Sequence, residues 1–165
     1  MKTGIVAIIM AAIIITGCSV TSSTSKQEKN AADFAKTSAL IESGNYQFAV
    51  RSASPSGGKT VQITSSYVLE VSNGTYKAYL PYYGRAHSVS YGGDGAVEFN
   101  GEPENLKITS DEDKNKISVS FTMKSDKDQN KVSLDIGASG FGNLVVTSQK
   151  RQTISYYGLA STLKD

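Results

Sequence analysis

Two stretches of the sequence place a pair of tyrosines before a glycine. Residues 80–86 read LPYYGRA, and residues 154–160 read ISYYGLA. Consecutive side chains on a strand point to opposite faces, so one ring of each pair is expected in the core and the other at the surface. If the two strand ends lie side by side, the surface rings form an aromatic patch that could stack on a sugar, a peptide or a protein. The alternative is that the rings pack against the edge of their own sheet.

The candidate binding surface combines both tyrosine pairs with two neighbouring tyrosines and one arginine on its rim. Its members are Tyr79, Tyr82, Tyr83, Arg85, Tyr91, Tyr156 and Tyr157. The glycines that end the two motifs, Gly84 and Gly158, are expected to permit a bulge or a sharp exit from the strand.

His87 is the only histidine of the chain and follows the first tyrosine motif. Its ordinary pKa lies near neutrality, which makes it the one candidate for a general base. Catalysis also needs a partner that orients the base, and the sequence offers only Asp94 nearby. A loop histidine bonded to backbone is therefore favoured, and a hydrolase that uses His87 is the weaker alternative.

Three other short motifs lack parts that their chemistry requires. Residues 58–60 (GKT) resemble the end of a phosphate-binding loop, but the earlier glycine is absent and a strand pattern follows. Residues 111–115 (DEDKN) and 126–130 (DKDQN) each spell half of a calcium loop. The glycine required next is Lys116 in one and Lys131 in the other, so both read as solvated hairpin tips. The sequence thus predicts no metal site and no cofactor.

Composition excludes several classes of function. Lys and Arg number 17 against 15 Asp and Glu, a balance that gives no electrostatic footprint for nucleic acid. One histidine and one cysteine cannot build a histidine-rich metal site or an internal disulfide.

That single cysteine, Cys18, stands where an apolar leader ends. Residues 4–15 read GIVAIIMAAIII after a positively charged Lys2, a run typical of a secretory signal and short for a membrane span. Residues 15–18 (ITGC) resemble the lipobox of bacterial lipoproteins. The resemblance implies cleavage between Gly17 and Cys18, diacylglycerol on the Cys18 sulfur and a further acyl chain such as palmitate on its amine. Several acyl chains anchor a protein firmly to a membrane.

Beyond the signal peptide of residues 1–17, residues 18–30 are rich in Ser and Thr and are predicted to be a flexible tether. In some Gram-negative anaerobes an acidic run after the cysteine directs lipoproteins to the cell surface. The neutral residues after Cys18 imply, by that resemblance, an outer-membrane anchor facing the periplasm.

Apolar residues recur at helical spacing in residues 29–43, and Gly44 follows as a helix terminator. After Gly44 the apolar period changes to two, as in antiparallel strands with one wet face. The clearest hairpin surrounds Asn73-Gly74, a sequence that favours a type I′ turn. Folding about this turn pairs Val71 with Tyr76, Glu70 with Lys77 and Leu69 with Ala78.

Polar connectors separate the later strands and are predicted to be hairpin loops: residues 101–104, 110–116 and 124–131. The sequence therefore predicts a mainly β fold, a single antiparallel sandwich or small barrel of about eight to ten strands with one N-terminal helix. The β-rich domain is expected over residues 31–161, followed by a short tail, 162–165.

Four blocks carry a resemblance to a known family. They are YLPYYGRA at residues 79–86, YGG at 91–93, VEFNG at 97–101 and RQTISYYG at 151–158. They resemble an uncharacterised family of lipid-anchored envelope proteins from Gram-negative anaerobes. The resemblance implies a β-rich extracytoplasmic domain and no catalytic residues.

The expected function is accordingly a non-catalytic binding or structural module of the cell envelope. Its partners would be the membrane, through the lipid on Cys18, and a protein or glycan of the envelope. The alternatives are a carrier that holds a small apolar ligand in a barrel cavity and the hydrolase based on His87.

Overall fold

The computed structural model describes residues 21–85, 96–124 and 128–163, with side chains from residue 26 onward. It contains one helix and ten strands. These are α1 (Thr21–Glu42), β1 (Tyr46–Pro55), β2 (Val61–Gln62), β3 (Val68–Ser72), β4 (Thr75–Leu80), β5 (Val97–Gly101), β6 (Glu104–Asp111), β7 (Lys116–Lys124), β8 (Gln129–Gly137), β9 (Phe141–Ser148) and β10 (Ile154–Ser161). The prediction of a mainly β fold with one N-terminal helix is confirmed.

The strands form one antiparallel sheet that curls into a half-barrel. Its order is β5-β4-β3-β1-β10-β9-β8-β7-β6, and β2 pairs with the second half of β1. β5 and β6 follow each other in sequence but stand at opposite ends of this order. The prediction that residues 101–104 form a hairpin loop is therefore wrong, whereas residues 110–116 do connect the paired strands β6 and β7.

Alternation along each strand separates an inner face from an outer face. On β8, for example, Val132, Leu134 and Ile136 are buried, while Lys131 and Ser133 are exposed. The curl brings distant inner faces together: the ring of Tyr76 on β4 lies 4.6 Å from that of Phe121 on β7, centroid to centroid. Apolar side chains from eight strands thus share one core.

The β3–β4 hairpin forms as predicted from its turn. Asn73 and Gly74 have φ values of 50° and 82°, the left-handed pair that a type I′ turn requires. Val71 pairs with Tyr76 and Glu70 with Lys77, in the predicted register.

The helix starts earlier than predicted. It begins at Thr21 instead of residue 29, so residues 21–30 of the predicted flexible tether are helical. Lys26, Gln27 and Glu28 are good helix formers, and their polarity does not oppose a helix that lies in water. From residue 26 onward, the first buried side chain of α1 is Phe34, which explains why the apolar pattern gave the later boundary.

α1 packs on the sheet through its C-terminal half. Phe34 and Ile41 are buried in the core, and the Thr37 hydroxyl donates to the Ala138 carbonyl oxygen in the β8–β9 turn, at 2.8 Å. Gly44, with φ of 66°, ends the helix as predicted. Among the residues that the structure describes, no helix combines the length and apolar character needed to cross a bilayer.

Candidate functional site

The two tyrosine motifs meet in space. The Gln152 backbone N–H donates to the Arg85 carbonyl oxygen at 3.1 Å, and the Arg85 N–H donates to Oε1 of Gln152 at 3.3 Å. Gln152, which makes this contact, follows the end of β9. Ala138, which contacts α1, precedes the start of β9. At about 3.3 Å per residue, the eight residues of β9 separate the two contacts by roughly 26 Å.

One tyrosine of each pair donates hydrogen bonds to backbone carbonyl groups at this contact. The Tyr156 hydroxyl donates to the Pro81 carbonyl oxygen at 3.0 Å, and the Tyr82 hydroxyl lies 2.9 Å from the carbonyl oxygens of both Arg85 and Gln152. Burial raises the pKa of Tyr82 and of Tyr156 above the ordinary tyrosine value, so both hydroxyls stay protonated donors. Tyr156 is fully buried, and the prediction that it belongs to a binding surface is wrong.

Arg151 joins a third segment to the two motifs. Its Nη1 donates to the Ala96 carbonyl oxygen at 2.6 Å, and its guanidinium lies 5.4 Å from the centroid of the Tyr82 ring. The segment before β5, the end of β4 and the start of β10 are therefore held by one side chain.

The glycine of each motif is explained by an aromatic ring that approaches it. A Cβ on Gly84 would lie 2.7 Å from Cζ of Tyr82, and one on Gly158 would lie 2.9 Å from the Phe48 ring. Neither glycine has a φ in the left-handed region. β1 bulges directly opposite Gly158, between Val50 and Ser52.

Tyr82→Phe is expected to lower the free energy of unfolding by about 1–2 kcal/mol. The variant keeps the ring under Arg151 but leaves the Gln152 carbonyl oxygen without this donor. Urea unfolding at neutral pH measures the difference. Tyr83→Phe is the matched control, since its side chain is 46% exposed and its loss should change stability by less than about 0.5 kcal/mol. Equal losses in the two variants would contradict this role of Tyr82.

The exposed tyrosines do not gather at this contact. Tyr79 stacks on Tyr67 at a centroid distance of 6.3 Å. Tyr157 stacks on Phe141 at a centroid distance of 5.7 Å, with an angle of 6° between the two ring planes. Tyr83 and Arg85 are exposed beside the contact. Tyr91 lies outside the described residues, as do His87, Gly17 and Cys18.

Both ring stacks belong to one apolar line on the outer face of the sheet. Cross-strand pairing places five outward side chains next to one another across β4, β3, β1, β10 and β9: Tyr79, Val68, Ala49, Leu159 and Phe141. We call this set the outer apolar row. Four strand spacings of about 4.8 Å give it a length of roughly 19 Å. Tyr79 is 47% exposed, and the other members are partly exposed.

Arg51 stands beside one end of this row. It is the extra residue of the β1 bulge, its side chain is exposed, and its guanidinium lies 5.0 Å from the centroid of the Phe141 ring. Sequence reasoning missed both Arg51 and Phe141. The alternation Ala49-Val50-Arg51 contained no sign of the bulge, and Phe141 follows Gly140 in a stretch without a clear period.

The outer face also carries a groove of about 360 Å³ across β7, β8 and β9. Its lining combines Lys131 and three apolar residues, Phe121, Val132 and Val145, with four hydroxyl side chains: Ser120, Thr122, Ser133 and Thr147. Asn105 closes one side. There β6 bulges, with Asn105 and Leu106 opposite the single residue Phe121, and Asn105 adopts a φ of 54°.

The first calcium-like segment is neutralised by its own lysine. Lys114 Nζ lies 2.8 Å from Oδ2 of Asp111, and the hydrogen bond from Lys114 lowers the pKa of that carboxyl. In the second segment, Asp128 accepts from the Ser148 hydroxyl at 2.6 Å. Within residues 21–85, 96–124 and 128–163, no three acidic, histidine or cysteine side chains cluster as a metal site would require.

The chain matches one protein family in sequence and a member of that family in fold. The family model described as "Domain of unknown function (DUF4251)" matches residues 28–160. The crystal structure of a DUF4251 family protein from Bacteroides eggerthii DSM 20697 is similar in fold, with a TM-score of 0.61 and 16% sequence identity, and the match covers 82% of this chain and 91% of that one. No curated protein matches. The chain therefore belongs to the DUF4251 family.

Proposed function

We propose that this protein is a non-catalytic binding module of the bacterial cell envelope, anchored through lipid on Cys18, and that its outer apolar row binds another envelope molecule. The observation that carries the proposal is the row itself. An antiparallel sheet with a wet outer face alternates apolar and polar residues, and polar side chains are expected outward. Here five strands in succession place an apolar or aromatic side chain outward in line.

A line of this kind favours binding for two reasons. Exposed apolar surface that is continuous across several strands is typical of interaction sites, whereas isolated apolar residues are not. The stacked pairs at its ends, Tyr67–Tyr79 and Phe141–Tyr157, are already held in place, so little side-chain entropy is lost when a partner covers them.

The anchor is proposed from the sequence around Cys18, and α1 adds a spacer to it. The helix begins at Thr21 and reaches the core only at Phe34. The 13 residues between, at about 1.5 Å each, would hold the domain roughly 20 Å from the bilayer. The neutral residues after Cys18 support an outer-membrane anchor that faces the periplasm.

The proposal is tested with the full chain carrying Cys18→Ala, which cannot be acylated and is expected in the soluble periplasmic fraction. This chain is immobilised and the amount of detergent-extracted envelope material that it retains is measured. Tyr79→Ser combined with Phe141→Ser removes the two aromatic ends of the outer apolar row. The amount of retained envelope material is expected to fall at least about tenfold, because two aromatic contacts of modest strength are lost.

The matched control replaces two charged residues of the neighbouring outward line, Glu70→Ser with Lys77→Ser, which face each other on β3 and β4. It should retain as much material as the parent chain. The proposed function is wrong if the aromatic double variant, shown by thermal unfolding to be folded, retains the parent amount.

A further inference from the structure

We propose that the outer face of β7–β10 binds an oligosaccharide that carries carboxylate groups. This inference rests on the proposed function and names the chemical class of the partner. It is carried by three features that lie next to one another on the same face: the groove, the Tyr157–Phe141 stack and a set of unpaired cations.

The groove supplies hydrogen-bonding groups of the kind that match sugar hydroxyls. Ser120 and Ser133 each offer a donor and two acceptors from a short side chain, on strands whose pairing fixes their positions. The Thr147 hydroxyl shares one hydrogen bond with that of Thr153 and keeps further acceptor capacity. The threonine methyl groups and Val145 add apolar surface for the C–H faces of a ring. A volume of about 360 Å³ lies at the lower end of the range for small-molecule sites, enough for one or two sugar units.

The aromatic stack continues this groove along the sheet. Tyr157 pairs with Asn143 on β9, and Val145, which lines the groove, stands two residues further along that strand. Such diagonal neighbours lie about 7–8 Å apart, a distance that an aromatic ring spans. The side chain of Tyr157 is 49% exposed, so one ring face is accessible for stacking while the other rests on Phe141.

The charges on this face favour an anionic ligand. The acidic groups beside the groove already have lysine partners: Asp135 lies 3.5 Å from Lys116 and Glu104 lies 2.6 Å from Lys124. Three further cations share the face and have no salt bridge within the described ranges: Arg51, Lys107 and Lys131. Lys107 pairs with Ser120 at the β6 side of the groove, and Lys131 lies within the groove on β8, between Thr122 and Thr147. One lysine in the groove and one beside it, together with the groove's hydroxyl groups, are complementary to the carboxylates and hydroxyls of a uronic-acid chain.

The same features disfavour other partners. Nucleic acid would require a strongly basic surface, and the chain has only two more basic than acidic residues.

The experiment titrates the full chain carrying Cys18→Ala with oligogalacturonate and, separately, with a neutral malto-oligosaccharide of equal length, by calorimetry. The acidic probe is expected to bind at least tenfold more tightly than the neutral one. Lys131→Gln and Tyr157→Ser are each expected to weaken binding about tenfold, through a lost charged contact and a lost stacking face respectively. Lys77→Gln, an outward charge on β4 away from the groove, is the control and should leave the affinity unchanged.

Three results would overturn the inference. Equal affinity for the acidic and neutral probes would show that the lysines do not select carboxylates. An acidic probe that fails to bind, or that binds Lys131→Gln and the parent equally, would remove the groove as its site. If envelope material is still retained through the outer apolar row in either case, the proposed function stands and only the glycan assignment fails.

Discussion

Gly158→Ala is expected to lower the free energy of unfolding by about 3 kcal/mol, at the upper end of what overpacking a core costs. The added Cβ would lie well inside contact distance of the Ala49 carbonyl oxygen and 2.9 Å from the Phe48 ring. Ala49 belongs to β1, which pairs with β10 along its whole length. Its carbonyl cannot retreat unless that ladder opens, and Phe48 is fully buried and has no free space to enter.

Denaturant unfolding measures this loss, and Tyr157→Phe provides the control at the adjacent position. That change removes one hydroxyl from a side chain that is 49% exposed, so stability should change by less than about 0.5 kcal/mol. If Gly158→Ala unfolds at the parent denaturant concentration, the close approach of Phe48 does not explain the glycine of the second tyrosine motif.

The parts of the fold that the sequence predicted correctly depend on local physics. Alternation of apolar residues identifies a strand because side chains alternate across it, and Val132, Leu134 and Ile136 are buried as their spacing requires. Asn73-Gly74 fixes a turn, and the turn fixes the register of the two strands beside it. Gly44 ends the helix because it adopts a positive φ with little strain.

The candidate site depends on pairings between residues far apart in sequence, and no local pattern specifies these. Tyr79 and Phe141 join one row only because four successive strand pairings hold β4 and β9 in register. One residue of slip at any of them would turn a member of the row inward. The β1 bulge shifts the register at Arg51 in this way, and a bulge leaves no mark in an alternating pattern.

The two tyrosine motifs were predicted in part from the sequence. The expectation that one ring of each pair enters the core holds for Tyr156, which is buried while Tyr157 is exposed. Which surface the outward rings reach could not be predicted, because Tyr83 lies beside the Arg85–Gln152 contact and Tyr157 lies on the outer face with Phe141.

The second large effect is expected at high pH. Two tyrosines are almost completely buried, Tyr46 and Tyr156, and burial raises the pKa of each well above the ordinary value of 10.0. In the unfolded chain both ionise near pH 10. Their contribution to stability is therefore complete below pH 10 and is lost as the pH rises above it, because only the unfolded state then releases protons.

Each such tyrosine adds a slope of about 1.4 kcal/mol per pH unit, so the pair should lower the free energy of unfolding by about 2.7 kcal/mol for each unit above pH 10. Urea unfolding between pH 8 and 12, about two units either side of the ordinary tyrosine pKa, measures this slope. Burial also raises the pKa of Tyr76, which steepens the fall. A flat profile across this range would show that both hydroxyls ionise in the folded protein.

Tyr46→Phe separates this effect from general alkaline damage. The variant should remove about half of the slope that the pair contributes, since one of the two buried hydroxyls is gone. At neutral pH it is expected to change stability by less than about 1 kcal/mol, because the buried Tyr46 hydroxyl interacts with that of Tyr76 but the two do not reach hydrogen-bond geometry. Val132→Ala is the control: it creates a cavity and lowers stability at every pH, but it removes no ionisable group, so its slope should equal that of the parent. A slope that Tyr46→Phe leaves unchanged would assign the alkaline loss to other groups.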